Sequence, residues 1–169
     1  MGNAFKECVS PDIKPRVALL SVGKEEGKGN ELTKEAYSLL KELPINFIGN
    51  MEGRDLVTGY ADVIVSDGFS GNIILKCAEA SGLVAKGIVD EMAKREHRSD
   101  DPLIKALSHY INQTFNYNSR GGATFLGTEK TVIKMHGSAV EATVVSCIEQ
   151  LLRLEKAGFR EKIKKSMEK

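Results

Sequence analysis

"RVALLSVGKEEGKGNELTKEA", residues 16 to 36, decides the fold. Arg16 to Val22 is a short apolar run with turn residues on both sides, which reads as a strand buried on both faces. From Asn30 the apolar spacing becomes helical. Leu32, Ala36, Leu39, Leu40 and Leu43 recur on one face, with Asn30 available as N-cap and Glu31 favouring the start. Between strand and helix stand Gly27, Lys28, Gly29 and Asn30. The first N–H groups of a helix lack partners within it and carry the positive end of its dipole, so this turn is a candidate anion site. Lys28 would add an ammonium, and the glycines would let a ligand approach the backbone. A Walker A loop needs Ser or Thr after the lysine, where Gly29 stands. An ordinary capped turn would read the same from these four residues alone.

Pro44 stops the helix; "INFIG" (45–49) is a second strand and "DVIVSD" (62–67) a third. After Gly68 a mostly helical stretch runs to about His97, interrupted by Gly82 and Gly87, residues that cost about 1 kcal/mol each in an exposed helix and often mark close packing. "KREHRSDDP" (94–102) is a charged turn. Pro102 opens a second helix through about Asn116, giving a hairpin over about 72–117. "SRGGATFLG" (119–127) reads as a glycine-rich loop and "TVIKMHG" (131–137) as a fourth strand. Val140, Val144, Cys147, Ile148, Leu151 and Leu152 line one face of a closing helix, and "REKIKKSMEK" is its solvated end.

Strands alternating with helices imply parallel βαβ units: an α/β fold with a mostly parallel sheet and helices on both faces, expected as a single domain over 1–169. In such sheets the loops at the carboxyl ends of the strands gather into the ligand crevice. The turns "GKEEGKGN", "GNMEGRD", "DGFSGN" and "HGS" are therefore expected on one edge.

Charge is nearly balanced, 24 Lys+Arg against 23 Asp+Glu, and tryptophan is absent, so neither a broad electrostatic field nor base stacking points to nucleic acid. Cys8, Cys77 and Cys147 lie far apart without a CxxC pair, which suits a reducing cytosol and argues against cysteine-bound metal. No stretch approaches about 18 uninterrupted apolar residues, and no basic patch precedes an apolar run at the N-terminus. Lys6 stands where myristoylation needs Ser or Thr.

"SDGFSGN" places Asp67, Gly68, Ser70, Gly71 and Asn72 after an apolar strand. Asn72 can donate to a carbonyl or phosphoryl oxygen, whereas ionised Asp67 only accepts; the plain alternative is a tight turn with an Asx cap. "MHGS" offers His136, Gly137 and Ser138. Ser138 reads as an N-cap for the last helix, and His136 as a structural residue whose N–H could contact phosphate. Arg54, flanked by Glu52 and Asp55, reads as a loop clamp, and Asp100 and Asp101 as solvent-facing.

In order, "RVALLSVGKEEGKGNELTKEA", "INFIGNMEGRDL", "ADVIVSDGFSGNIILK", "GGATFLG" and "VIKMHGS" resemble the C-terminal half of the PlsX family, bacterial phosphate acyltransferases of phospholipid synthesis. The resemblance implies a Rossmann-like architecture related to isopropylmalate dehydrogenases and phosphotransacetylases. It implies a reaction of acyl-ACP with inorganic phosphate to give acyl phosphate and free acyl carrier protein, with no cofactor or metal. Lys28 and Asn72 fall on the family's essential lysine and asparagine. Gly27, Gly29, Asn30, Asp67, Gly68, Ser70, Gly71, His136, Gly137 and Ser138 then hold phosphate or substrate. A homodimer in the cytoplasm is expected, with weak peripheral contact at the inner face of the membrane.

Two departures stand out. Full family members carry an additional N-terminal half, and "MGNAFKEC" reads as the continuation of a helix, so Met1 is expected to be an internal methionine of a longer protein. The family's membrane contact uses an apolar hairpin tip, whereas "KREHRSDD" is charged, with Leu103, Ile104 and Leu107 beside it. The rival expectations are a CoA-dependent phosphate acyltransferase of the phosphotransacetylase type, and a non-catalytic fragment retaining dimerising and carrier-protein surfaces.

Overall fold

The computed structural model describes residues 1–115, 121–137 and 139–168. Contacts divide the chain into two compact units, Met1–Gly68 with Thr124–Val132 and Leu151–Lys169, and Phe69–Ala123 with Ile133–Gln150.

In the first unit Val17, Ala18 and Leu19 are buried in succession, as in a strand covered on both faces. They belong to β1 (Arg16–Leu20), the middle strand of a three-stranded parallel sheet of order β2-β1-β3, with β2 Asn46–Met51 and β3 Val63–Val65. This is the expected α/β architecture with a parallel, Rossmann-like sheet. The helix α2 (Glu31–Glu42) carries the chain from β1 to β2 and packs on both. Asn30 caps it: its Oδ1 accepts from the Thr33 N–H at 2.9 Å. Val17 pairs with Phe47 but Leu19 with Asn50, so β2 holds one extra residue. Gly49, at φ 90°, supplies this bulge, which a side chain at that angle would resist.

At the amino ends of the strands Arg16 grips the residue that precedes β3. Its Nε lies 2.9 Å and its Nη2 3.2 Å from the two Asp62 carboxylate oxygens, and its backbone N–H also donates to Asp62. This pairing holds the Asp62 carboxyl at a pKa of about 2.

The terminal helices close this unit. The first, α1 (Gly2–Val9), packs on β3 and against α6 (Phe159–Met167); Ala4, Cys8, Phe159 and Ile163 are buried there, and the Phe5 and Phe159 rings meet edge to face at 5.8 Å. The basic tail is thus not a solvated end of the closing helix. Gly158, at φ 65°, separates α6 from α5 (Glu141–Lys156), and the i, i+4 pair Phe159 and Ile163 gives α6 its own apolar face. On α5 the expected face is also corrected. Of the expected face only Cys147 is buried, together with Thr143 and Leu154 outside it, while Val144, Ile148 and Leu152, and Val140 just before the helix, are exposed.

In the second unit α3 (Gly68–Arg95) runs unbroken through Gly82 and Gly87, and α4 (Pro102–Phe115) returns beside it. The Ser108 hydroxyl donates to Asp90 at 2.9 Å between them. Gly82 is a close-packing glycine, since a Cβ there would fall 2.3 Å from Phe115 Cβ; Gly87 has nothing within 4 Å. The fourth expected strand, observed as β5 (Val132–Lys134), does not join the parallel sheet. It pairs with β4 (Ala123–Phe125), a strand inside the segment read as a loop. The turn after β5 belongs to the second unit. Strands of three residues carry too little pattern to declare a partner.

Candidate functional site

Parallel pairing puts the exits of all three strands of the larger sheet on one edge: Leu20 lies across from Met51, and Leu19 from Val65. The chain leaves β1 towards β2 on one side and comes back as β3 on the other, so the β1 and β3 exits are neighbours at a switch in strand order. The segments 21–30, 52–57 and 66–68 form this rim. Of the expected site residues, Gly27, Lys28, Gly29, Asn30, Asp67 and Gly68 belong to this unit.

Two lysines sit in the β1 turn, and their surroundings differ. Lys24 is tied down: its ammonium lies 3.2 Å from Asp55 Oδ1 and 4.7 Å above the Tyr60 ring. A bond from the Glu52 N–H, followed by that from Lys24, lowers the Asp55 pKa and keeps it ionised as the anchor. Lys28 is exposed and has no ion-pair partner among the described residues. Its aliphatic stem crosses Gly23, where a Cβ would stand 3.0 Å from Lys28 Cγ. The Lys28 N–H bonds the Glu25 carbonyl at 3.0 Å, while the N–H groups of Gly27 and Gly29 have no acceptor among the described residues. The turn thus offers one ammonium and two amides for an oxyanion.

The two glycines have different reasons to be there. Gly29 sits at φ 106°, and a Cβ would meet Thr33 side-chain carbons at 2.8 Å; it is required by the turn. Gly27 has no left-handed angle and nothing within 4 Å of a would-be Cβ. Neither backbone nor packing demands it, which leaves room for a ligand to come near. Asn30 spends its carbonyl on the helix cap, accepting from both Thr33 groups. Arg54 is the clamp its acidic neighbours suggested, 2.6 Å from Glu52.

Ser70, Gly71, Asn72, His136 and Gly137 belong to the second unit. The segment "SDGFSGN" is no tight turn: α3 starts at Gly68, neither glycine is left-handed, and Asn72 lies exposed one turn inside the helix. Ser70 and Gly71 are in the first turn of α3. His136 and Gly137 follow β5, the His136 carbonyl accepting from the Ala139 N–H at 3.0 Å. Ser138 lies outside the described residues. Asn50 and Gly23, which reading the sequence did not single out, prove to be central to the β1 turn. The bulge-forming "IGN" was the available signal for Asn50.

Among the described residues no helix is long and apolar enough to cross a membrane. A family model described as fatty acid synthesis protein matches residues 1–162. Proteins named phosphate acyltransferase from Bacillus thuringiensis (strain Al Hakam), Bacillus mycoides (strain KBAB4) and Bacillus cereus (strain AH187) are each 41% identical over 152 residues. The match takes in 89% of this chain and 46% of each relative, so the chain spans about half their length. With its motifs, its parallel sheet and this match in agreement, the chain belongs to the fatty acid synthesis protein family, the PlsX family that its sequence resembles.

Proposed function

We propose that the chain is the phosphate-holding half of an acyl-ACP:phosphate acyltransferase of phospholipid synthesis, acting with the remaining length its relatives possess and as a homodimer. The observation that carries this reading is the exposed Lys28 ammonium, without an acidic partner among the described residues, beside the two acceptor-free amides of Gly27 and Gly29. In the reaction a phosphate oxygen attacks the thioester carbonyl. The C–S bond breaks, the carrier protein leaves as a thiolate, and acyl phosphate is released. Lys28 with the amides of Gly27 and Gly29 orients the nucleophile and offsets its charge; Asn72 donates to phosphate or to the carbonyl oxygen as negative charge develops there. A thiol with a pKa of about 8.5 leaves as its thiolate without a strong general acid. Asp67, Gly68, Ser70, Gly71, His136, Gly137 and Ser138 complete the substrate contacts, and Asn30 orders the turn. The working place is the cytoplasm, with peripheral contact at the inner face of the membrane.

Replacing Lys28 tests this. In enzyme extended to full family length, Lys28→Ala should lower acyl phosphate formation at least ~100-fold with the circular dichroism spectrum unchanged. Unchanged turnover would reject the role of Lys28. Comparing acyl-ACP with acyl-CoA separates a carrier-protein enzyme from the CoA-dependent type. Inactivity of the extended enzyme with dimerisation intact would favour a non-catalytic, carrier-binding role.

A further inference from the structure

We infer that Asn50 is the positioning residue for Lys28, an inference that rests on the reading of the β1 turn as the phosphate holder. Asn50 is 2% exposed, at the end of β2 just past the Gly49 bulge and next to fully buried Met51. Its Nδ2 donates to the Glu25 carbonyl at 2.8 Å. Its Oδ1 is buried and has no partner among the described residues. An unpaired buried acceptor costs about 1–3 kcal/mol, so an apolar residue of similar size would serve stability better here. What the carboxamide does provide is a fixed point for the turn. The same Glu25 carbonyl accepts the Lys28 N–H, so a single oxygen joins Asn50 on the rigid sheet to the backbone of Lys28. With the Lys28 N–H spent on that oxygen, the amides on either side of it are the ones left for a ligand. The bulge re-aims the strand immediately before Asn50, and Gly23 leaves space for the Lys28 stem. The ammonium and its flanking amides are thereby held by one buried side chain that never touches the ligand.

The test follows backbone and side-chain amides of the whole 169-residue chain by NMR during titration with inorganic phosphate. In the unmodified chain the Gly27 and Gly29 amides should shift, and the Asn50 side-chain amide with them. Asn50→Ala should weaken phosphate binding about tenfold and speed hydrogen exchange at the Lys28 amide about tenfold, with the β1 amides of Val17 and Leu19 as protected as before. Unmodified affinity in folded Asn50→Ala would overturn the proposal, as would an Asn50 side-chain amide that stays still while Gly27 and Gly29 respond. The latter needs no variant and decides the matter should Asn50→Ala fail to fold. Lys28→Ala separates the two levels. If it weakens binding and Asn50→Ala does not, only the positioning role falls; if it binds phosphate as the unmodified chain does, the functional reading falls, and the positioning role with it.

Discussion

Gly29 is constrained twice, by φ 106° and by Thr33 carbons 2.8 Å from where a Cβ would stand. Gly29→Ala should therefore lower stability by about 1–3 kcal/mol, seen as a fall in the urea midpoint. Gly27→Ala meets neither obstacle and should leave that midpoint within ~0.5 kcal/mol while weakening phosphate binding, because the added methyl occupies the ligand's approach. Gly23→Ala acts on a third quantity. Its methyl would press first on the Glu25 carboxylate, at 2.9 Å, and then on Lys28 Cγ, at 3.0 Å, both on flexible side chains that yield, so KM for phosphate should rise several-fold with little loss of stability. The sequence made the Gly27–Asn30 turn legible as a candidate anion site because glycines, a lysine and an N-cap have local signatures. It could not separate Gly27 from Gly29, nor reveal Asn50, since a Cβ clash and a bond over 25 residues of chain are tertiary facts.

At the scale of elements, β1, α2, β2 and β3 were all legible from period and punctuation: a doubly buried run, an N-cap, Pro44. β5 was legible as a strand too, but its partner was not: β4 lies in a glycine-rich stretch that reads as a loop. Nor was α6, whose buried Phe159 and Ile163 are diluted among lysines. The helix pair makes its own prediction. Gly82→Ala forces a Cβ into Phe115 and should cost about 1–3 kcal/mol, whereas Gly87→Ala, in open space, should add about 1 kcal/mol through helix propensity. Thermal melts of the two variants should move in opposite directions. Acid titration addresses the strands. The Asp62 pKa is lowered by Arg16 from 3.8 to about 2, so the pair's stabilisation is complete above the unfolded value and is lost as pH falls from there towards 2. Asp62→Asn should flatten urea midpoints across that window and lower the midpoint at neutral pH.

For the molecule as a whole, the family match accounts for 46% of each relative, and several large apolar side chains of the second unit are bare: Phe69 at 79% exposure, Leu83 at 72%, Leu103 at 71%. Isolated apolar residues on a surface are ordinary, but this many along α3 and α4 should bind a hydrophobic dye under native conditions. ANS fluorescence of the folded chain should exceed that of a compact enzyme of similar size, and a signal no greater would count against these faces being accessible. The Arg16–Asp62 grip has a different bearing. It fastens β1 to β3 at the end opposite the rim proposed to hold phosphate, so strand alignment and the proposed ligand recognition rest on separate residues. An engineer could graft a new loop between Leu20 and Glu31, aimed at a different oxyanion, and expect the strands beneath to keep their pairing.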